Sequence, residues 1–283
     1  MEPTDTSVVP GTKKWDAFTA VRWGDQALAW ASRIMTATRY EALESTIEKV
    51  GHYALIVGAV LGLAYGVVGA FKWNQLSPAL IGVLWIPCAA VAQFAAFKFS
   101  NTSRGLIRSS GSQLSSRAFL ACLALGSLLL GIIALAGYTY GAIRTDSLST
   151  FGVGLVVFAA CELTVWLCLS PSLLNLSIVP ASTAGEEAIG VLTFAMKALL
   201  RLVPIAFGVG VIVGDFAIVA AIVRLFRDQE FSITGASPAA WLVLGSAALP
   251  LIGYVLFVLN YLALDVIRAI LVVPEKLDVI GKK

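Results

Sequence analysis

Apolar residues along the chain come in six long runs, separated by short polar segments. A helix needs about 20 mainly apolar residues to cross about 30 Å of hydrocarbon, and each run is close to that length. The pattern therefore predicts an all-α integral membrane protein whose transmembrane helices form a bundle. We place the six spans at residues 52–71, 76–97, 118–142, 151–174, 202–224 and 239–265.

An amphipathic stretch precedes the first span. Trp23, Ala27, Trp30 and Ile34 recur at helical spacing, with arginines interspersed. Tryptophan on one face and arginine on another favour a helix lying in the membrane interface, although such a helix can also pack on the protein's own cytoplasmic loops. The predicted regions are a disordered tail at 1–14, an amphipathic interfacial helix at 15–50, the six-span domain at 51–273 and a cytoplasmic tail at 274–283.

Three other features refine this outline. The segment 186–201 has the pattern of a short interfacial helix leading into the fifth span, and the sixth span continues as a helix to near Pro274. Pro87, Pro171 and Pro250 lie within or near the end of spans, where proline removes a backbone hydrogen bond and kinks a helix.

Composition narrows the class of protein. Hydrophobic residues make up 58% of the chain and charged residues 13%, about half the charged share of a typical soluble protein. The net charge of +3 is too small to indicate binding to nucleic acid. The partner that the sequence itself implies is the lipid bilayer.

The distribution of positive charge predicts the topology. If the N-terminus is cytoplasmic, sixteen of the twenty lysines and arginines lie on the cytoplasmic side. Such an excess is the positive-inside signal, so we expect a multi-pass membrane protein with both termini in the cytoplasm.

Small residues repeat four apart along the first span. Ala54, Gly58, Gly62, Gly66 and Ala70 lie on one helical face. Because helices in lipid associate by close packing, small residues at this spacing let two backbones approach. Either another helix of the same subunit or the first span of a second copy can occupy this face. The fifth span repeats the pattern at Ala206, Gly210 and Gly214.

Most catalytic signatures are missing from the sequence. His52 is the only histidine, which excludes a two-histidine zinc motif. The chain also lacks a phosphate-binding GxxxxGK[ST] loop and a GxSxG nucleophile turn. Its four cysteines all lie in apolar runs, where they read as packing residues. We expect neither an enzyme nor a bound cofactor or metal.

Two carboxylates lie close to the middle of spans. Glu162 is in the fourth span and Asp215 is in the fifth. Acids in the membrane are costly and often mark ion or proton sites, and loss of water favours their protonated form unless a cation is close. We identify both as candidate proton or cation sites. The alternative is a protonated acid that is hydrogen-bonded to a neighbouring helix, for example to Thr164 or Ser127.

One segment resembles a known family. GEEAIGVLTFAMKALLRLVP, residues 185–204, resembles the cytoplasmic coupling loop of ABC-importer permeases, in which an EAA triplet and a glycine precede a Leu-Pro pair. It departs from that pattern at Ile189, at the early Gly190 and at Val203. The resemblance implies an ABC-type permease subunit.

These features support three hypotheses for function. Mid-membrane carboxylates and kinked helices favour a proton- or cation-linked transport or permeation component. The glycine-rich face and short loops favour a non-catalytic scaffold or assembly subunit, as a homo-oligomer or in a larger membrane complex. The coupling-loop resemblance favours an ABC-type permease subunit.

Overall fold

The computed structural model describes residues 19–179, 183–227 and 233–281, and it shows a chain built almost entirely of helices. The predicted tail at 1–14 lies outside these residues. The helices in the described part are α1 (Thr19–Ile34), α2 (Ala37–Trp73), α3 (Ser77–Ser109), α4 (Arg117–Thr145), α5 (Leu148–Leu169), α6 (Ala184–Phe226) and α7 (Ile233–Gly281).

The helices α2 to α7 are long and apolar enough to cross a membrane, which confirms the prediction of an all-α, six-span protein. Most of them extend beyond the predicted spans: α2 begins at Ala37 and α3 continues to Ser109. A helix satisfies its own backbone hydrogen bonds in water as well as in lipid, so hydrophobicity marks the membrane crossing but not the helix ends.

The amphipathic stretch does not form one helix. It is divided at Met35 and Thr36, between α1 and the start of α2, and α2 then continues without interruption into the first span. Trp23 and Trp30 of α1 are both exposed, whereas Ala31 is buried. The tryptophans of the predicted interfacial face therefore point away from the unit that contains α1.

Three other predicted boundaries differ from the structure. The segment 186–201 is the first part of α6 rather than a separate helix, and α7 continues past Pro274 to Gly281. The fourth span ends early, because α5 stops at Leu169 and Pro171 begins a single 3₁₀ turn. Pro171 therefore lies outside α5, whereas Pro87 is inside α3.

The helix α6 begins at a capping box. The Thr183 hydroxyl accepts a hydrogen bond from the Glu186 backbone N–H at 3.3 Å, and the Glu186 carboxylate accepts one from the Thr183 N–H at 2.8 Å. This reciprocal pair satisfies two backbone donors that a helix start leaves free. The local sequence thus fixes where this 43-residue helix begins.

The chain divides into two compact units, and the first contains α1, α4 and α5. Within it, α4 and α5 approach closely at two glycines, which have no side chain to hold the helices apart. Gly131 of α4 lies against Cys161 of α5, and Gly154 of α5 lies against Tyr138 of α4. The Trp166 indole donates a hydrogen bond to the Thr36 carbonyl at 2.9 Å, which ties the end of α5 to the segment after α1.

The second unit contains α2, α3, α6 and α7 with two short strands. Its apolar core takes residues from all four helices: Leu55, Ala96, Phe207, Val211, Ile218, Ala239, Val243 and Ala247. The strands β1 (Ser112–Leu114) and β2 (Leu176–Ile178) pair in parallel, with Ser112 opposite Leu176. Strands of three residues are too short to produce a periodic sequence pattern, and we did not predict them.

Candidate functional site

Asp215 lies in α6, within the second unit, and its side chain is only 8% exposed. Its Oδ1 atom occupies the space beside Gly58 of α2, where a Cβ atom would collide with it. The missing side chain of Gly58 therefore makes room for the carboxyl group inside the unit. A glycine on the repeating face and a mid-membrane acid, which are far apart in sequence, form one contact.

The helix α3 completes this site. The indole Nε1 of Trp85 donates a hydrogen bond to the carbonyl oxygen of Gly58 at 2.9 Å. The Trp85 ring also lies against Gly62, where any Cβ atom would overlap it. Helices α2, α3 and α6 thus meet around Gly58, with the carboxyl of Asp215 on one side and the indole of Trp85 on another.

One oxygen of Asp215 is buried without a partner. Oδ1 has no hydrogen-bond partner among the residues that the structure describes. A buried polar atom without a partner costs about 1–3 kcal/mol, and more when it carries a charge. A bound proton or a small cation would reduce this cost, so the site has the chemistry of a proton or cation ligand.

Glu162 belongs to the first unit, whereas Asp215 belongs to the second. Glu162 lies in α5, half-buried and near Gly131 of α4, where a Cβ atom would lie 3.7 Å from its Oε1. Oε1 has no hydrogen-bond partner among the described atoms. The hydroxyl of Thr164, a partner considered above, donates instead to the Ala160 carbonyl at 2.9 Å.

The other predicted packing glycines also contact helices of their own unit. Gly66 lies against the Pro78 carbonyl and the backbone of Gly82 in α3. Gly210 lies against Ser246 and Gly214 against Val243, both in α7. The chain itself therefore occupies the glycine-rich faces of α2 and α6 at these positions.

Sequence reasoning missed a cluster of charged residues at one end of the second unit. Glu44 of α2 is 2% exposed and lies between two arginines. Its Oε2 is 3.0 Å from Arg201 Nε, an ion pair without hydrogen-bond alignment, and its Oε1 accepts a hydrogen bond from Arg104 Nε at 3.1 Å. Arg104 also pairs with Glu48. The cluster joins α2, α3 and α6.

The spacing of the glutamates at the start of α2 indicates that they form a cluster. Glu44 and Glu48 are four residues apart and share one face of α2. The sequence pattern places this stretch in a helix at the membrane surface, where charged residues are solvated. A buried ion pair is costly to form, and removing one of its partners leaves an uncompensated buried charge.

A second missed feature is the environment of Lys197, which is completely buried in α6. Its ammonium group donates to the Ser110 carbonyl, to the Ser112 hydroxyl at 2.9 Å and to the Asn175 carbonyl at 3.4 Å. Nearby, the Glu187 carboxylate accepts hydrogen bonds from the backbone N–H and the hydroxyl of Ser115. These bonds fasten the segments around β1 and β2 to α6.

The same contacts bear on the resemblance to ABC permeases. Several residues of the segment 185–204 are bound within the second unit: Glu187, Lys197 and Arg201 as described, and Gly190 against the Gln113 carbonyl. A coupling loop needs an exposed face for its ATPase. The chain itself binds these four residues, whereas Glu186, Leu192 and Leu199 of the same segment are exposed.

Comparison with known proteins adds no family to this description. The chain matches no family model, no curated protein and no solved structure. The coupling-loop resemblance therefore has no support from a family match. The described part of the chain has six helices long and apolar enough to span a membrane, which is the architecture of a polytopic membrane protein.

Proposed function

We propose that this protein is a transport or permeation component in which Asp215 binds a proton or a small cation within the membrane. The supporting observation is the buried Oδ1 atom of Asp215, which lies against Gly58 and has no hydrogen-bond partner in the described part of the chain. Buried acids in membrane spans are rare and costly, and they recur in proton relays and ion pathways.

The surroundings of Asp215 fit a group that changes its charge. The carboxyl lies where α2, α3 and α6 meet, and small residues there allow close approach of the helices. When a proton or cation leaves, the uncompensated carboxylate favours any helix arrangement that admits water or a new ligand. Coupling between occupancy and helix packing is what a carrier requires.

Three further proposals complete this function. Glu162 is a second proton or cation site, within its own unit, because its Oε1 is likewise buried without a described partner. The termini face the cytoplasm, because the lysines and arginines are so unequally distributed. We also propose that the chain is not an enzyme, since its single histidine and missing nucleophile motifs leave few means of catalysis.

A non-catalytic scaffold is the second candidate function. The observation in its favour is the close packing of α2 against α3 and α6 at Gly58, Gly62 and Gly66, together with the buried cluster at Glu44. Rigid packing of this kind suits a subunit that organises a larger membrane complex. Since the chain's own residues occupy this face, we do not assign it to a seam between two copies.

The proposal is tested by observing the carboxyl group itself. Infrared difference spectra of the reconstituted protein, recorded as pH or cation concentration changes, should contain a carboxyl band that disappears in Asp215→Asn. Glu162→Gln should remove a different band and leave the first in place. A wild-type spectrum without a titrating or cation-sensitive carboxyl band would contradict a ligand-binding role for Asp215.

A further inference from the structure

A groove on the second unit lies between α2 and α3, and it has a cavity volume of about 480 Å³. This is within the range of about 300–1,000 Å³ that is typical of ligand pockets. The groove is open along its side, and its lining includes Tyr53 and Ile56 of α2 and Phe94 and Phe97 of α3. Tyr53 is 71% exposed and Phe94 is 65% exposed, so the aromatic walls face outward.

Two contacts show how α2 and α3 run along the groove. The Gln93 amide donates to the His52 carbonyl at 3.3 Å, and the Trp85 indole donates to the Gly58 carbonyl. The two helices are therefore antiparallel, and the groove follows the apolar span away from its polar end. Because α2 and α3 are long and apolar enough to span a membrane, we take the surfaces exposed along them to face lipid.

The polar end of the groove carries positive charge. Lys49 of α2 lines this end of the groove. Lys98 is the residue after Phe97 in α3, so it belongs to the same end. Both lysines are exposed, and the Lys98 ammonium group lies 5.6 Å from the centroid of the Phe94 ring. Long basic side chains at the end of a span reach toward the headgroup region, where they attract anionic lipids.

The inner wall of the groove is closed by aromatic packing. The His52 ring, which lines the groove, lies with its centroid 5.0 Å from that of Phe207 in α6 and 5.8 Å from that of Phe97. An occupant entering from the side therefore meets mainly aromatic and aliphatic side chains, with His52 and Gln93 as the neutral polar groups, and only its end near Lys49 and Lys98 meets charge. A phosphate headgroup with an attached acyl chain has this distribution of polarity.

We propose that the α2–α3 groove is a binding site for one anionic phospholipid of the surrounding bilayer. Its phosphate lies between Lys49 and Lys98, and one acyl chain follows the groove past Phe94, Tyr53 and Ile56. This lipid site does not include Asp215. Occupation of the site makes the protein's activity depend on the lipid composition of the bilayer.

The test uses the full-length protein, released from detergent in a mass spectrometer after incubation with phosphatidylglycerol or phosphatidylcholine. The wild type should bind the first phosphatidylglycerol more tightly than phosphatidylcholine. The double variant Lys49→Gln, Lys98→Gln should lose about tenfold or more of the affinity for phosphatidylglycerol and keep its weak binding of phosphatidylcholine. Equal binding of phosphatidylglycerol by the wild type and this variant would overturn the proposal.

Two controls test whether lipid binding depends on the groove itself. Arg144→Gln with Arg227→Gln removes the same charge at exposed positions that do not line the groove, and it should leave the lipid preference unchanged. A photoreactive side chain at position 53, in vesicles that contain phosphatidylglycerol, should crosslink to lipid. Crosslinking to a second copy of the chain instead would assign the groove to a protein interface and overturn the proposal.

Discussion

The Oδ1 atom of Asp215 occupies the space that a side chain at Gly58 would need. This contact links a glycine of α2 to an acid of α6, and it explains why the repeating small-residue face is not a uniform packing surface. Each glycine on it has its own neighbour: Asp215 at Gly58, Trp85 at Gly62 and Gly82 at Gly66.

The variant Gly58→Ala should destabilise the protein, because its methyl group would overlap Asp215 Oδ1. Overpacking of this kind costs about 1–3 kcal/mol, and we expect a lower melting temperature in detergent. Gly245→Ala is the matched control, since nothing lies within 4 Å of the added methyl group. The cost should shrink when Gly58→Ala is combined with Asp215→Ala. If Gly58→Ala lowers the melting temperature equally in the wild type and in the Asp215→Ala variant, overlap with Asp215 is not the cause of the destabilisation.

Gly62→Leu should be more damaging than Leu63→Ala at the next position. The Trp85 indole fills the space beside Gly62, so a leucine there would force α2 and α3 apart. The measurement is the melting temperature and oligomeric state of both purified variants. A Gly62→Leu protein that matches the wild type in both properties would refute close packing at this position.

Glu44→Gln should destabilise the protein far more than Glu41→Gln. Glu44 is buried between Arg104 and Arg201, and removing one partner of a buried ion pair costs about 3–5 kcal/mol. Glu41 also pairs with Arg201, at 3.6 Å, but its side chain is 57% exposed, and such pairs contribute about 1 kcal/mol or less. Unfolding of the two variants in detergent compares them directly. Similar losses would show that Glu44 is not the centre of the cluster.

The topology is checked by labelling introduced cysteines with a thiol reagent that does not cross membranes. Asn74 and Ser147 lie in or beside the turns that follow α2 and α4, and Ala184 begins α6. In sealed cells, Asn74→Cys and Ser147→Cys should be labelled from outside, whereas Ala184→Cys should be labelled only after lysis. The unsubstituted chain is the control for its own cysteines. Labelling of Ala184→Cys in sealed cells would invalidate the cytoplasmic assignment of the termini.

The six spans were predictable because hydrophobicity is a local property of the sequence, and each crossing requires it. The pairing of helices was not, since nothing near Gly58 in sequence indicates that Asp215 lies beside it. The Glu44 cluster was missed because charges flanking a span were read as surface charges. The burial of Lys197 depends on oxygens from Ser110, Ser112 and Asn175, which only the folded chain brings together.

The central claim is that Asp215 binds a transported or coupling ion, and flux through reconstituted liposomes tests it most directly. Asp215→Asn keeps the size of the side chain and removes its charge. We expect the wild type to move protons or small cations down an imposed gradient, and Asp215→Asn to lose this flux while retaining most of its thermal stability. Full flux in Asp215→Asn, or no flux in the wild type under proton, sodium and potassium gradients, would contradict the account and favour the scaffold.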